Sequence, residues 1–294
     1  MTDKGKGLLA INLAVLLFGT AGLFGKLLTF SPILIVLGRV FFASIALFLF
    51  LLLKKDFMTI KKKASHYFFM LILGILLGIH WLTFFHAIQI STVAIGLLSF
   101  STFPVYVAFL EPIIFKERFS IKYIVLALVS FIGIRLLIPR FELTDNILQG
   151  VIWGSLSGLL FAFLTLLNRK MVSYYRAGTV ALYQNLIAFL VLLPFSLSIL
   201  QQVNKIHDII MLIVLGVVFT ALSHTLFIYG LKIIKAKTAS IIACLEPVYG
   251  ILFAFLILSE IPEVRTIVGG MIIIGAVMFT TFTLKQKKKK YIEV

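Results

Sequence analysis

The chain has 294 residues, of which 61% are hydrophobic and 13% are charged, and its mean hydropathy is +1.14. A soluble domain of this length needs far more polar surface, so the composition excludes one and indicates an integral membrane protein. The formal net charge of +16 invites a nucleic-acid interpretation, which the distribution of the charges contradicts.

Ten apolar segments of about 20 residues follow one another along the chain, and each is long enough for a transmembrane helix. They are predicted at 7–28, 32–53, 67–88, 91–115, 121–138, 147–168, 178–198, 209–230, 237–258 and 264–284. Long apolar runs without dyad alternation argue against a β-barrel. The predicted fold class is therefore an all-α polytopic membrane protein with ten transmembrane helices.

Basic residues are concentrated in alternate loops. With a cytoplasmic N-terminus, the inner segments contain 21 of the 27 basic residues, and the outer loops contain only Arg140, Lys205 and Arg265. This asymmetry follows the positive-inside rule and predicts a plasma (inner) membrane protein with both termini in the cytoplasm. Because these residues set orientation and lie against anionic lipid, membrane lipid is an expected partner and nucleic acid is not.

The two halves of the chain share a sequence pattern at an offset of 143 residues. The matching positions are Pro104-Val105-Tyr106 with Pro247-Val248-Tyr249, Leu16-Leu17-Phe18 with Leu159-Leu160-Phe161, Glu117 with Glu260, and Lys26 with Arg169. An odd number of helices in each half turns the second half upside down relative to the first. We therefore predict two inverted five-helix repeats, at 1–143 and 144–294.

These residues resemble the EamA-type family of the drug/metabolite transporter superfamily. Glu246-Pro247 with the closing Glu260 is similar to that family's Glu-Pro motif, and Phe18-Gly19 followed by Gly25-Lys26 is similar to its first-helix pattern. The resemblance covers both halves. It implies a central cavity between inverted repeats and the export or exchange of small metabolites.

The chain departs from the family pattern at two places. Phe18 stands where the family usually has Trp, and Glu111-Pro112 is an additional Glu-Pro whose counterpart in the second half is Ala254. The first departure leaves the predicted fold unchanged. The second is expected to alter the cytoplasmic gate.

Polar side chains at bilayer depth are costly, so each needs a partner or a function. A rise of about 1.5 Å per residue places Glu246 roughly 14 Å and His80 roughly 20 Å into their spans. Both are predicted to contact substrate or to transfer a proton, with a neutral or paired structural contact as the alternative. Three roles stay open for Arg39: snorkelling outward, pairing with an acidic group, or attracting a substrate carboxylate. For Lys26, Arg135 and Glu111, near span ends, snorkelling is favoured.

Other polar and aromatic residues complete the predicted site. Trp81 is a candidate for stacking on substrate, with core packing as the alternative, whereas Trp153 fits an interfacial belt. The predicted substrate-binding residues are Arg39, His80, Trp81, Ser99, Thr102, Tyr106, Tyr183, His224, Glu246 and Tyr249.

Pro104 and Pro247 are predicted to interrupt helices near the middle of the membrane. A proline removes one N–H and clashes with the carbonyl four residues back, here those of Phe100 and Ala243. Unwound backbone at this depth is tolerated where it faces a cavity. Both prolines are therefore predicted to mark a cavity and gate, and a kink that serves packing is the alternative.

The sequence disfavours a metal centre and an enzyme. His80 and His86 lie about 240° apart around a helix, so they cannot bind one metal from one face. The chain contains no zincin motif, paired Asp motif or Gly-rich phosphate loop, and no cofactor is expected.

The predicted function is a secondary transporter that exports a small metabolite, an amino acid or a derivative, by alternating access. Within the same class, the alternative is a cation or drug efflux transporter in which Glu246 is the charge partner. A lipid scramblase would not need prolines at matching positions of both halves, and an intramembrane enzyme would need a convergent nucleophile or metal set. The expected partner is a small-molecule substrate, and the chain is also a candidate homodimer.

Overall fold

The computed structural model describes residues 2–55, 64–116, 119, 121–140, 142–203 and 205–290, without the side chains of 122–123 and 280–290. Every regular element in these ranges is a helix. The helices are α1 (Asp3–Ala21), α2 (Phe24–Leu27), α3 (Pro32–Leu53), α4 (Ala64–Ile90), α5 (Val93–Phe100), α6 (Phe103–Phe115), α7 (Lys122–Leu137), α8 (Asn146–Met171), α9 (Ala177–Ser196), α10 (Ile206–Gly216), α11 (Ser223–Ile233), α12 (Ala236–Ala243), α13 (Glu246–Leu258) and α14 (Val264–Lys290). A 3-10 turn at Leu197–Gln202 follows α9, and a π-helical stretch at Val217–Leu222 joins α10 to α11.

Eight helical runs in the described part of the chain are long and apolar enough to cross a membrane. They are Asp3–Leu27, Pro32–Leu53, Ala64–Ile90, Val93–Phe115, Asn146–Met171, Ala177–Gln202, Ile206–Ile233 and Ala236–Leu258. Two further apolar helices, Ile124–Leu137 and Val264–Phe279, are shorter. Each of the ten predicted segments therefore coincides with an apolar helix, and the protein is a multi-pass membrane protein.

Two of these runs are broken at equivalent positions of the two halves. Between α5 and α6 the amide of Thr102 donates to the carbonyl of Ser99 at 3.3 Å, and between α12 and α13 Leu245 donates to Ile242 at 3.0 Å. Pro104 and Pro247 lie in the first turn of α6 and α13, where no backbone donor is needed. The predicted interruptions are thus real, but each proline begins a new helix instead of kinking a continuous one.

Small residues bring the helices of the two halves close together. A methyl group added at Gly158 of α8 would lie 2.8 Å from the carbonyl oxygen of Phe100, and one added at Gly74 of α4 would lie 2.5 Å from the Ile187 side chain. Both distances are too short for a methyl contact, so these glycines allow α8 to pack on α5 and α4 to pack on α9.

Candidate functional site

A small buried cavity lies where helices from both halves meet. Its walls are Phe18 and Ala21 of α1, Arg39 of α3, His80, Trp81 and Phe84 of α4, Phe100 of α5, Phe161 of α8, His224 of α11 and Glu246 of α13. Phe18 is partly buried and the others are buried. The cavity volume is about 20 Å³, which is room for one water molecule. The walls must therefore move apart before a metabolite can enter.

Arg39 is held firmly inside the protein. Its Nε donates to Thr220 Oγ1 at 3.0 Å, and its Nη2 donates to the Phe219 carbonyl at 3.3 Å. The guanidinium carbon lies 3.7 Å from the centre of the Trp81 ring, a cation–π arrangement. The residue is 2% exposed, so Arg39 does not snorkel, and one of its three open roles is removed.

The groups that bind Arg39 come from the π-helical stretch between α10 and α11. Thr220 Oγ1 donates to the carbonyl of Leu215 at 2.7 Å, so its lone pairs remain available to Arg39. A π-helical turn changes the backbone bonding pattern and is frequent at functional sites. Thr220 was not among the residues predicted from the sequence. Its signal was a single hydroxyl within the otherwise apolar run Val217–Leu222.

Glu246 enters the cavity from the first turn of α13. It is 3% exposed, and its Oε2 has no hydrogen-bond partner among the described residues. The N-terminal end of a helix favours negative charge, which stabilises a carboxylate at this position. Arg39 and Glu246 line the same cavity but do not approach to ion-pair distance.

Gly19 explains how α1 reaches the helix break beside Glu246. A methyl group added at Gly19 would lie 2.5 Å from the Glu246 carbonyl oxygen and 3.0 Å from the Gly250 amide nitrogen. Only glycine permits this approach of α1 to α13. Phe18 therefore forms part of the cavity wall, and the adjacent Gly19 allows the close contact between the backbones of α1 and α13.

His80 links the two halves of the chain. Its Nδ1 lies 2.8 Å from Ser157 Oγ and 3.1 Å from the Ser157 carbonyl oxygen. Its ring also contacts Phe100 and Phe161, with centroids 5.5 and 4.9 Å away. His80 is thus anchored to α8 and also lines the cavity.

A buried polar chain leads away from the cavity through His224. The Nε2 of His224 lies 2.8 Å from Gln184 Oε1, and Gln184 Nε2 in turn donates to Asn168 Oδ1. All three side chains are buried. They join α11, α9 and α8 and end one residue before Arg169.

The structure brings five of the predicted substrate-binding residues to the cavity, namely Arg39, His80, Trp81, His224 and Glu246. One face of Trp81 carries the Arg39 guanidinium. Five further wall residues were not predicted as site residues, namely Phe18, Ala21, Phe84, Phe100 and Phe161. Phe18 and Phe161 occupy equivalent positions of the repeat, so the 143-residue offset was a signal for these two.

The other predicted site residues lie outside the cavity wall. Ser99 Oγ donates to the Ile95 carbonyl at 2.7 Å, and Thr102 Oγ1 donates to the Ser99 carbonyl at 2.8 Å. Tyr106 is hydrogen-bonded to Thr102. Tyr183 lines an apolar groove between α3 and α9.

Tyr249 packs against the main buried cluster. Pro104 and Pro247 are buried, and the wall residues beside their two helix breaks are Phe100 and Glu246. Roles in binding or gating stay predictions for all these residues.

One end of the molecule is closed around Glu260, and we call it the Glu260 end. The Glu260 carboxylate accepts hydrogen bonds from the amides of Val93 and Ala94, both at 3.1 Å, at the start of α5. Lys26 Nζ donates to the carbonyls of Gln89 and Ser91 at 3.2 and 2.8 Å. The first contact joins the segment after α13 to the start of α5, and the second joins α2 to the end of α4.

The opposite end, which we call the Glu111 end, is closed by side chains. Arg169 Nη1 of α8 donates to Glu111 Oε1 of α6 at 2.6 Å, and the guanidinium carbon lies 4.3 Å from the centre of the Phe115 ring. The Glu111 side chain is 4% exposed, so the expectation that it snorkels was wrong, because an ion pair satisfies it inside the protein. Glu117, the predicted counterpart of Glu260, lies outside the described residues.

Among the described residues, no group of three His, Cys, Asp or Glu side chains is arranged to hold a metal ion. The cavity contains two ionisable groups of opposite type, Arg39 and Glu246, and its two histidines are hydrogen-bonded to Ser157 and Gln184. This arrangement suits the binding of a polar ligand.

Comparison with known proteins identifies relatives over the whole chain. The EamA-like transporter family matches residues 5–138 and 148–282. An uncharacterized transporter of Archaeoglobus fulgidus is 30% identical over 193 residues, which are 65% of this chain and 68% of the relative. The uncharacterized transporter YxxF of Bacillus subtilis is 24% identical over 293 residues, with 97% and 92% of the two chains covered.

Two further matches concern function and fold. The S-adenosylmethionine uptake transporter of Rickettsia prowazekii is 24% identical over 226 residues, 76% of this chain and 75% of that protein. A protein of known crystal structure superposes with a TM-score of 0.73 at 13% identity, covering 96% of this chain and 97% of the other. At this identity the superposition supports the fold alone.

Proposed function

Because the chain belongs to the EamA-like transporter family, we propose that it is a secondary transporter that carries a small metabolite through this buried cavity by alternating access. One observation carries the proposal: both halves build the cavity, and Arg39 and Glu246 face it from helices α3 and α13. Buried charges of this kind in a membrane protein mark substrate or ion pathways.

The proposed architecture has ten transmembrane helices arranged as inverted five-helix repeats, at 1–143 and 144–294. The shorter apolar helices Ile124–Leu137 and Val264–Phe279 cross the membrane as the fifth helix of each repeat. The equivalent helix breaks before Pro104 and Pro247 support this arrangement, since discontinuous helices at the repeat interface commonly form transporter sites. We propose that the protein lies in the plasma membrane with both termini in the cytoplasm, and the concentration of basic residues in alternate loops supports this orientation.

The proposed substrate is an amino acid or a derivative, and the proposed direction is export. The relative named an S-adenosylmethionine uptake transporter supports an amino-acid derivative as the substrate class, although its name states the opposite direction. A cation or drug efflux transporter is the second candidate. The unpartnered Oε2 of Glu246 favours it, because a buried carboxylate can bind a cation.

The test is transport by the purified protein in proteoliposomes, with substrates found by comparing metabolites secreted by a deletion strain and an overexpressing strain. Glu246→Gln should abolish transport and leave the amount of folded protein unchanged, because the amide is nearly isosteric with the acid. Glu142→Gln, the same change at an exposed carboxylate, should leave transport intact. Unchanged transport by the Glu246 variant would remove this residue from the mechanism.

A further inference from the structure

A groove runs between α3 and α9 on the lipid-facing surface of the helix bundle. We propose that it binds one anionic phospholipid, with an acyl chain in the groove and the phosphate group beside Lys54 and Lys55 at the end of α3. The residues that line this groove differ from those that line the central cavity. The lipid site is therefore separate from the transport site and does not depend on what the protein transports.

The groove is apolar almost throughout. Its volume is about 470 Å³, and its walls include Phe41, Ile45 and Phe48 of α3 and Leu182, Leu186 and Phe189 of α9. The hydroxyl of Ser44, which also lines it, donates to the Val40 carbonyl at 2.7 Å and is satisfied within its own helix. The Phe48 side chain is 47% exposed, so the groove is open to the bilayer and suits a hydrocarbon chain.

The groove has about the length of one bilayer leaflet. Its α3 wall begins at Phe41, near the middle of Pro32–Leu53, and continues to Leu49 near the end of that helix. At about 1.5 Å per residue this wall is roughly 12 Å long, and half of the hydrocarbon core is roughly 15 Å thick. The groove therefore follows an acyl chain of one leaflet from the centre of the bilayer towards the headgroups.

Two lysines lie where the headgroup of that lipid is expected. Lys54 and Lys55 directly follow α3 and are exposed, and Lys54 lies roughly 8 Å beyond Leu49 along the chain direction. In sequence, the loop 54–63 contains five lysines and one aspartate. Such an excess of positive charge next to the membrane attracts anionic headgroups.

The start of α9 completes this end of the groove. A methyl group added at Gly178 would lie 3.3 Å from the Leu51 side chain, which brings Arg176, the residue before α9, to the same end as the two lysines. Tyr183 lines the groove and lies near Tyr67 of α4, and tyrosine is enriched where acyl chains meet headgroups. The bound lipid therefore contacts α3 of the first half and α9 of the second.

A phospholipid suits this groove better than a second copy of the chain does. In a two-fold symmetric dimer the same surface of both copies meets. Two such surfaces would bring the Lys54-Lys55 pairs of both copies together, and like charges at an interface are unfavourable. An anionic headgroup neutralises the same lysines.

The experiment measures which lipid the purified wild-type protein retains from mixed micelles. The micelles contain equal amounts of phosphatidylglycerol and phosphatidylcholine with identical acyl chains, and native mass spectrometry identifies the first bound lipid. One basic residue near the membrane surface favours an anionic lipid by about fivefold. With two lysines we expect a preference for phosphatidylglycerol of about tenfold or more.

A pair of double variants tests the headgroup contact. Lys54→Gln with Lys55→Gln should reduce the preference to about twofold or less, because the local attraction for the phosphate is lost. Lys4→Gln with Lys6→Gln is the matched control, since it removes the same charge from exposed positions at the start of α1. This control should keep the wild-type preference.

A bulky side chain tests the acyl-chain contact. Leu186→Trp fills the groove and should reduce the retention of both lipids by about fivefold or more, because the chain loses its contacts with the groove walls. Leu128→Trp, the same change at an exposed position of α7, is the control and should retain lipid like the wild type. If Leu186→Trp does not elute as a single species in size-exclusion chromatography, Ile45→Trp on the facing wall takes its place.

Equal retention of the two lipids by the wild type overturns the proposal. So does an equal loss of preference in the Lys4 and Lys6 control, which would assign the effect to the overall surface charge, and so does unchanged retention by the variant with a filled groove. A lipid-free dimer that Leu186→Trp dissociates would assign the groove to a second copy of the chain. None of these outcomes depends on transport, so the proposed function is judged separately by the proteoliposome assay.

Discussion

The two ends of the molecule use equivalent residues of the repeat in different ways. Lys26 and Arg169 occupy matching positions, yet Lys26 binds backbone carbonyls and Arg169 binds the Glu111 carboxylate. The difference arises from one residue, because the counterpart of Glu111 is Ala254. A single acidic residue on α6 thus provides the Glu111 end with a side-chain ion pair, which the Glu260 end lacks at the matching position.

This difference decides how each end responds to substitution. An ion pair between side chains can be removed, reversed or rebuilt by changing two residues. At the Glu260 end the partners of Glu260 are backbone amides of α5, which no substitution of side chains can reverse. A second-site change should therefore rescue a defect at the Glu111 end and not at the Glu260 end.

The largest expected effect is all-or-none and concerns which end faces the cytoplasm. In a background with Cys244→Ser, a cysteine placed at Thr144 should react with an impermeant thiol reagent added outside intact cells, and one placed at Ser65 should not. Both positions are exposed, and Thr144 avoids Asp145, which caps α8. Permeabilised cells should label both. Reaction of Ser65→Cys alone in intact cells would invert the proposed orientation and exchange the two ends.

The next effect concerns the ion pair of the Glu111 end. Glu111→Ala removes a charge-assisted bond worth about 1–3 kcal/mol, which corresponds to roughly 5- to 150-fold in a conformational equilibrium. Thr165 is buried at this end of α8. The rate at which the Thr165→Cys variant reacts with a thiol reagent therefore measures how often that end opens. We expect that rate to rise about tenfold or more.

The rescue experiment tests the same ion pair. The double variant Glu111→Arg with Arg169→Glu should bring the rate of Thr165→Cys most of the way back to its original value, because the charges attract again. If the double variant reacts as fast as Glu111→Arg alone or Arg169→Glu alone, the ion pair does not hold this end closed.

A smaller effect is expected at the Glu260 end. Glu260→Gln keeps the shape of the side chain, but its NH2 group cannot accept, so one of the hydrogen bonds from Val93 and Ala94 is lost and the other becomes neutral. We expect a loss of about 1 kcal/mol, or roughly fivefold, because the group is only partly buried. The readout is the reaction rate of Ala21→Cys in the cavity wall, with Thr165→Cys as the control that should stay unchanged. An equal rise at both positions would show general loosening of the fold.

The smallest effect is expected for Lys26→Met. Lys26 is exposed, so water can replace its ammonium group at the carbonyls of Gln89 and Ser91. The rate at which the Ala21→Cys variant reacts with the thiol reagent should change by roughly twofold or less, because the lost hydrogen bonds contribute only about 0.5 kcal/mol. A change as large as that of Glu111→Ala would mean that the two ends depend equally on their basic residues.

The sequence alone determined the membrane class, the ten apolar segments and the positions of the two helix breaks. These follow from composition, from segment length and from the repetition of Pro-Val-Tyr, all of which are local properties of the chain. It also indicated Arg39, His80, Trp81, His224 and Glu246 as costly or distinctive residues within spans, since few polar groups occur there.

Only the tertiary structure decided which of these residues meet. In a chain this apolar, the lipid-facing and inward-facing sides of a helix have similar side chains, so periodicity does not separate them. Tyr183 therefore faces an apolar groove, whereas Trp81 on another apolar helix stacks against Arg39. The Arg39 partners Thr220 and Phe219 lie about 180 residues away in sequence, and the ion pair of Glu111 also crosses between the halves. Such contacts depend on how helices pack, because the hydrophobic effect drives segments into the bilayer but does not select their neighbours.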